Sequence, residues 1–197
     1  MKKKEFKALL PVIIVAGTAI ISLLMILFLQ GATKTVTEVG VLTTKTTISV
    51  VSFKGLIFGG GPKVVTVNNG NPTSLTYEGG MSTFGIISLI LLVLGVLTVA
   101  SSIFFTDKKQ EKTSSIIFLV GSSLIALAGL CMLLVLAGGS ALITAKTVIG
   151  NQTFQTTSTF AKYFEGFTLA SGPIVYALLA ILGGGFGVAN HFLKIVK

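Results

Sequence analysis

The sequence predicts an α-helical membrane protein in which a four-transmembrane-helix bundle carries a small extracellular antiparallel β-sheet. Three observations lead to this class. Hydrophobic residues make up 52% of the 197-residue chain and charged residues only 11%, whereas a soluble domain carries about 25% charged residues. The mean hydropathy is +0.93. Long uncharged runs alternate with polar segments rich in Thr and Val, which are residues that favour β-strands.

The uncharged runs are long enough to cross a bilayer as helices. A helix rises ~1.5 Å per residue, so about 20 apolar residues cross a hydrocarbon core of ~30 Å. The first run is longer than the apolar region of a signal peptide and lacks a small-residue cleavage site, so we expect it to be retained. The third run allows a helix that continues to residue 145 or one that breaks at Gly138-Gly139. The predicted spans are residues 8–29, 81–106, 115–137 and 166–193.

Two polar loops are predicted to form the sheet. The first, residues 30–80, contains the loop NNGNP at Asn68–Pro72, whose Asn and Gly residues tolerate positive φ and predict a hairpin. The second, residues 138–165, contains one further candidate strand and, around Phe164, aromatic residues of the kind found at membrane interfaces. The strands predicted in the first loop are residues 35–41, 46–53, 63–67 and 74–77.

The basic residues predict the orientation of the spans. The net charge is +9 and every basic residue is Lys. Nine of the fifteen Lys lie in three short segments next to apolar runs, and such segments usually face the cytoplasm. Four spans place all three on one side. We therefore expect a multi-pass plasma-membrane protein with cytoplasmic segments at residues 1–7, 107–114 and 194–197 and both polar loops outside.

An apolar segment in the first loop is the candidate partner-binding site. It consists of Phe53, Gly55, Leu56, Ile57 and Phe58, with Lys54 between them. These side chains either pack beneath the sheet or form an exposed apolar patch that grips a partner. Unpaired edges of the sheet offer a second means of binding, because they can accept a partner strand.

The fourth span carries a face of small residues formed by Ala180, Gly183, Gly184 and Gly187. Gly183 and Gly187 form a GxxxG pair, which lets helix backbones approach closely. This face predicts packing within the chain. Self-association and a functional hinge are the alternatives.

Several functional classes find no support in the sequence. The chain has one Cys and one His, Cys131 and His191, so we predict no disulfide within the chain, no metal site, no cofactor and no catalytic triad. Lys is not clustered as in a nucleic-acid-binding face, so no nucleic-acid partner is expected. The central parts of the spans carry no charged residue, which argues against a pump or an ion-coupled transporter.

The layout resembles that of the claudin and PMP22-like tetraspan membrane protein families. Phe53, Gly55, Leu56 and Ile57 stand where those families carry a Trp and then Gly-Leu-Trp. This chain has no Trp, and it lacks the paired cysteines of the first loop. The resemblance implies an extended third helix and a sheet of about five strands, four from the first loop and one from the second. It also implies lateral or cell–cell assembly.

The function predicted from these observations is non-enzymatic. We expect an adhesive or scaffolding module that contacts the lipid bilayer and, through its extracellular sheet, a protein partner or another copy of itself. One alternative is an accessory subunit of a larger transport or secretion complex, docked through the glycine face. The other is an oligomeric pore, lined by serines such as Ser88, Ser101 and Ser122.

Overall fold

The computed structural model describes residues 3–39, 44–59, 63–68, 71–79, 81–105, 111–137, 142–149 and 152–193. The predicted break at Gly138-Gly139, most of the connector and the C-terminal basic tail lie outside these ranges. The helices are α1 (Lys3–Phe28), α2 (Phe53–Phe58), α3 (Thr83–Ser101), α4 (Glu111–Leu133), α5 (Phe160–Tyr163) and α6 (Ser171–Leu193). The strands are β1 (Gln30–Val39), β2 (Thr44–Ser52), β3 (Lys63–Asn68), β4 (Asn71–Gly79), β5 (Leu142–Ile149), β6 (Gln152–Thr159) and β7 (Thr168–Leu169).

Four helices, α1, α3, α4 and α6, have the length and apolar composition needed to cross a membrane. This confirms the predicted membrane class at the level of helix length and composition. Their ends differ from the expected ones in two places. Helix α3 tightens into a 3₁₀ turn over Ser102–Phe105. Helix α6 begins at Ser171 instead of residue 166, because Thr168 and Leu169 are extended and pair with β1.

The strands form one antiparallel sheet in the order β6-β5-β4-β3-β2-β1-β7. The predicted hairpin around NNGNP is confirmed by the pairing of Asn68 with Asn71, which leaves two residues between β3 and β4. The sheet has seven described strands, compared with the five that the family resemblance implies. The additional strands come from residues after α4, because the second loop supplies both β5 and β6, and β7 lies in the segment predicted to begin the fourth span.

The segment after α4 is a strand and not a helical extension. Helix α4 ends at Leu133, a turn continues to Ala137, and β5 begins at Leu142. The extension of the third helix to residue 145 is therefore not what the structure shows. The run LITAKTVI is rich in β-branched residues, which favour strands. Pairing with β4 on one side and β6 on the other provides the backbone partners of β5.

The chain divides into two compact units. The helical unit consists of Met1–Leu24, Ile87–Met132 and Val175–Lys197, and the sheet unit consists of Met25–Ile86 and Leu133–Ile174. The core of the helical unit contains fully buried Val15, Leu92, Ile125 and Tyr176. Large apolar side chains on the outward faces of all four long helices are exposed, among them Ile20, Ile90, Leu130 and Leu182. Such a surface suits contact with lipid.

The core of the sheet unit forms around the short helix α2. Phe53, Leu56 and Ile57 are each 0% exposed, as are Ala32 and Val51 on the neighbouring strands. The helix begins where the Ser52 hydroxyl accepts a hydrogen bond from the Gly55 N–H at 3.0 Å, which is the usual N-cap arrangement. It ends at Gly59, whose φ of 78° is a conformation that glycine adopts readily.

Candidate functional site

The residues that sequence analysis considered for chemistry are dispersed in the structure. Among the described residues, no group of three or more His, Cys, Asp or Glu could hold a metal ion. His191 Nδ1 lies 2.9 Å from the Ser115 hydroxyl and joins α6 to α4 by a hydrogen bond. Cys131 is a free, half-buried thiol.

The candidate partner-binding segment forms α2. Three of its five residues, Phe53, Leu56 and Ile57, are fully buried, whereas Phe58 is 51% exposed. Gly55 lies half-buried in the first turn of the helix. In this conformation only Phe58 offers a large apolar surface to a partner. Partner binding by this segment stays a prediction, and its three buried side chains act as the core of the sheet unit.

The small residues of α6 face neighbouring helices of the same chain. A Cβ built on Gly183 would overlap the Thr18 side chain of α1, and one on Gly187 would overlap the Ser122 side chain of α4. A Cβ on Gly184 would lie 2.5 Å from backbone atoms of α4. Ala180 is also fully buried. The face is therefore covered within the chain, whereas Gly185 on the other side of the helix is open.

The serines considered for a pore lie against helix backbones. The Ser88 hydroxyl donates to the Ala128 carbonyl at 2.7 Å and is hydrogen-bonded to the Tyr176 hydroxyl at 3.1 Å. The Ser101 hydroxyl donates to the Thr98 carbonyl at 2.8 Å. Ser122 is fully buried, and its hydroxyl has no hydrogen-bond partner within the part of the chain that the structure describes.

One exposed polar surface of the sheet unit lies on the β1–β2 hairpin. Residues 35–39 of β1 are all exposed, and Val39 is 78% exposed. The strands pair without interruption from Ala32–Val51 to Val39–Thr44. Ile48 lies opposite Thr35 and is 41% exposed. The hairpin therefore presents Thr hydroxyl groups interspersed with single aliphatic side chains.

A turn between α5 and β7 holds the base of β1 in place. The Lys34 ammonium donates to the Glu165 backbone carbonyl at 2.8 Å and lies 5.7 Å from the centre of the Phe167 ring. Phe164 is nearly buried, and its ring centre lies 5.0 Å from that of Phe167. The aromatic residues predicted to form an interface belt thus form a packed cluster in the sheet unit.

The sheet has two edges with unequal protection. Strand β7 pairs with β1 only at Ala32 and Thr33, so no described strand covers the outer side of residues 34–39. At the other edge, no described strand covers the outer side of β6. Sequence analysis expected one strand within residues 148–160, whereas Val148 and Ile149 end β5 and β6 begins at Gln152. It also did not predict that β6 would be an edge. The signal that could have suggested a second hairpin is the pair of β-branched runs on either side of Gly150-Asn151.

No protein-family model matches this chain, and comparison with curated proteins gives no match.

Proposed function

We propose that this chain is a non-enzymatic membrane interaction protein that acts as an adhesive or scaffolding module through its sheet. The observation that carries the proposal is the seven-stranded antiparallel sheet, whose described edges are both unpaired over several residues. Unpaired edges offer N–H and C=O groups that a partner strand can complete. The exposed Thr-rich hairpin β1–β2 adds a polar surface for the same purpose.

The proposal includes a claudin-like topology. The α1, α3, α4 and α6 helices span the plasma membrane, both termini are cytoplasmic, and the segments that form the sheet face outward. Its support comes from the three lysine-rich segments, since short basic segments next to spans favour the cytoplasmic side. Two single-cysteine variants in a Cys131→Ala background test it, namely Asn69→Cys and Lys109→Cys. A membrane-impermeant thiol reagent applied to intact cells labels position 69 and spares position 109. The reverse pattern refutes the topology.

The two alternatives receive less support from the packing. An accessory subunit that docks through the glycine face requires that face to be free, and Gly183, Gly184 and Gly187 lie against helices of the same chain. A pore lined by serines requires hydroxyl groups that face a path, and Ser88 is instead bonded to the Ala128 carbonyl and Tyr176.

Reconstitution of the purified full chain into vesicles tests the proposed function. Two populations of vesicles contain the same protein and differ in their dye. Adhesion is measured as the formation of aggregates that contain both dyes. Donor- and acceptor-labelled protein within one vesicle reports scaffolding as energy transfer that exceeds the value for random mixing. Either signal supports the proposal. If vesicles stay separate and the protein stays dispersed, the proposed function fails. Solute flux through the same vesicles would then favour the pore.

A further inference from the structure

The outer edge of β6 lacks the features that normally prevent strand addition. Natural edge strands carry Lys or Pro, contain a bulge, or are very short. Strand β6 has eight residues, QTFQTTST, without a charge or a Pro. Its register with β5 is continuous from Leu142–Thr159 to Ile149–Gln152, so β6 contains no bulge. Residues 155–157 are exposed.

The opposite edge of the sheet is protected in several of these ways. Strand β1 carries Lys34 and Glu38, and its register with β2 shifts between Gln30 and Ala32. Strand β7 covers Ala32 and Thr33, and the Lys34 side chain is held by the Glu165 carbonyl. Apart from Glu38, these features lie at residues 30–34 of β1. Among the described strands, β6 is thus the longer uncovered edge and the one without a charge.

We propose that the β6 edge pairs with the β6 edge of a second copy of this chain. This inference rests on the proposed function and names its partner. Because β6 is the uncharged edge among the described strands, the edge best suited to pair with β6 is β6 itself, and a two-fold axis closes the assembly at a dimer. The chain carries a net charge of +9, which opposes association, but β6 is uncharged. Self-pairing therefore places no like charges opposite one another.

Two-fold symmetry restricts the register of this pairing. In an antiparallel ladder, hydrogen-bonded and non-hydrogen-bonded residue pairs alternate. If a residue lay opposite the next residue of the other copy, a two-fold axis normal to the sheet would make two adjacent pairs identical, and the alternation would be lost. One residue must therefore lie opposite its own copy. The overlap of β6 with itself is largest when that residue is Gln155 or Thr156, which are the two central positions of the strand. Both side chains are exposed.

Cysteine crosslinking in the full chain tests the register. Single cysteines at positions 154 to 158, in the Cys131→Ala background and in vesicles, are oxidised under mild conditions. Opposed residues of an antiparallel pair have Cα atoms about 4.5–5.5 Å apart, which is within the range that a disulfide bridges. The proposal predicts that Gln155→Cys or Thr156→Cys gives the highest yield of covalent dimer and that yields fall on either side. Thr37→Cys on β1 is the matched control and gives little dimer.

Two adjacent proline substitutions test the backbone bonds. Successive N–H groups of a strand point to opposite sides, so one of Thr156→Pro and Thr157→Pro removes a bond to β5 and the other removes an unpaired outer donor. The variant that breaks the bond to β5 lowers the melting temperature of the protein. The variant that removes the outer donor keeps the melting temperature and loses association between copies. If the variant that retains its melting temperature associates as well as the parent, the β6 edge is not the interface.

The outcomes separate this inference from the proposed function. Strong crosslinking at Thr37→Cys together with little dimer at β6 would overturn the β6 interface, yet copies would still associate through the sheet. Association of vesicles or energy transfer without crosslinking at either edge would also overturn it and leave the function standing. If neither association nor crosslinking occurs, both proposals fail. Mixing separately tagged vesicles before oxidation shows whether the paired copies occupy opposing membranes or the same membrane.

Discussion

Replacement of Gly184 by Ala tests the packing of the helical unit most directly. An added Cβ would lie 2.5 Å from the Ser122 carbonyl oxygen and 2.5 Å from the Ala126 nitrogen. Both are backbone atoms, so no side-chain rotation relieves the overlap, and α4 and α6 must move apart. Gly185 is the matched control because it lies on the same helix, is exposed and has nothing within 4 Å of an added Cβ.

The expected loss of stability is the difference in unfolding free energy between Gly184→Ala and Gly185→Ala. Each replacement of Gly by Ala gains up to about 1 kcal/mol of helix propensity, and this gain cancels in the comparison. Insertion of one carbon into a closely packed interface costs about 1–3 kcal/mol. Because the contacts at Gly184 involve backbone, we expect a value in the upper half of this range. Gly184→Ala is then less stable than Gly185→Ala by roughly 2–3 kcal/mol.

Equilibrium unfolding in mixed micelles measures this difference. The fraction of denaturing detergent is raised, and loss of structure is followed by circular dichroism for the parent and both variants. Gly185→Ala unfolds at the same fraction of denaturing detergent as the parent or at a higher one, and Gly184→Ala at a lower one. If the two variants unfold together, α4 and α6 do not approach closely at Gly184, and the account of the glycine face is wrong.

Two further pairs of variants test the sheet unit and the buried serines. Phe53→Ala removes a fully buried ring and lowers stability by about 3–5 kcal/mol. Phe58→Ala, at a half-exposed site, lowers stability by less than about 1 kcal/mol. The resistance of the folded protein to protease measures both changes. Ser88→Ala removes hydrogen bonds to a carbonyl and a hydroxyl, and bonds of this kind between membrane helices contribute about 0.6 kcal/mol on average. Ser122→Ala does not lower stability in the same detergent titration, because the buried Ser122 hydroxyl has no hydrogen-bond partner among the described residues to lose.

Sequence analysis predicted the candidate site only in part. It identified the apolar segment at Phe53, but only the folded sheet unit shows that Phe53, Leu56 and Ile57 turn inward and that Phe58 does not. Periodicity offers little help here, because a helix of six residues is too short to show a clear apolar face. The edge formed by β6 was missed for a different reason, since an edge is defined by the absence of a neighbour.

The spans and the strand-forming composition could be predicted from the sequence because both depend on local properties. Transfer of each side chain from water to lipid contributes nearly independently, so a run such as Leu9–Phe28 can be recognised from composition alone. Strand order, the end of α4 and the partners of the glycines depend on contacts between residues far apart in the chain. The run after Ala137 suits either a helix or a strand until β4 and β6 provide hydrogen-bond partners on its two sides. Only the tertiary structure makes that choice, because the free energy of pairing belongs to both strands together.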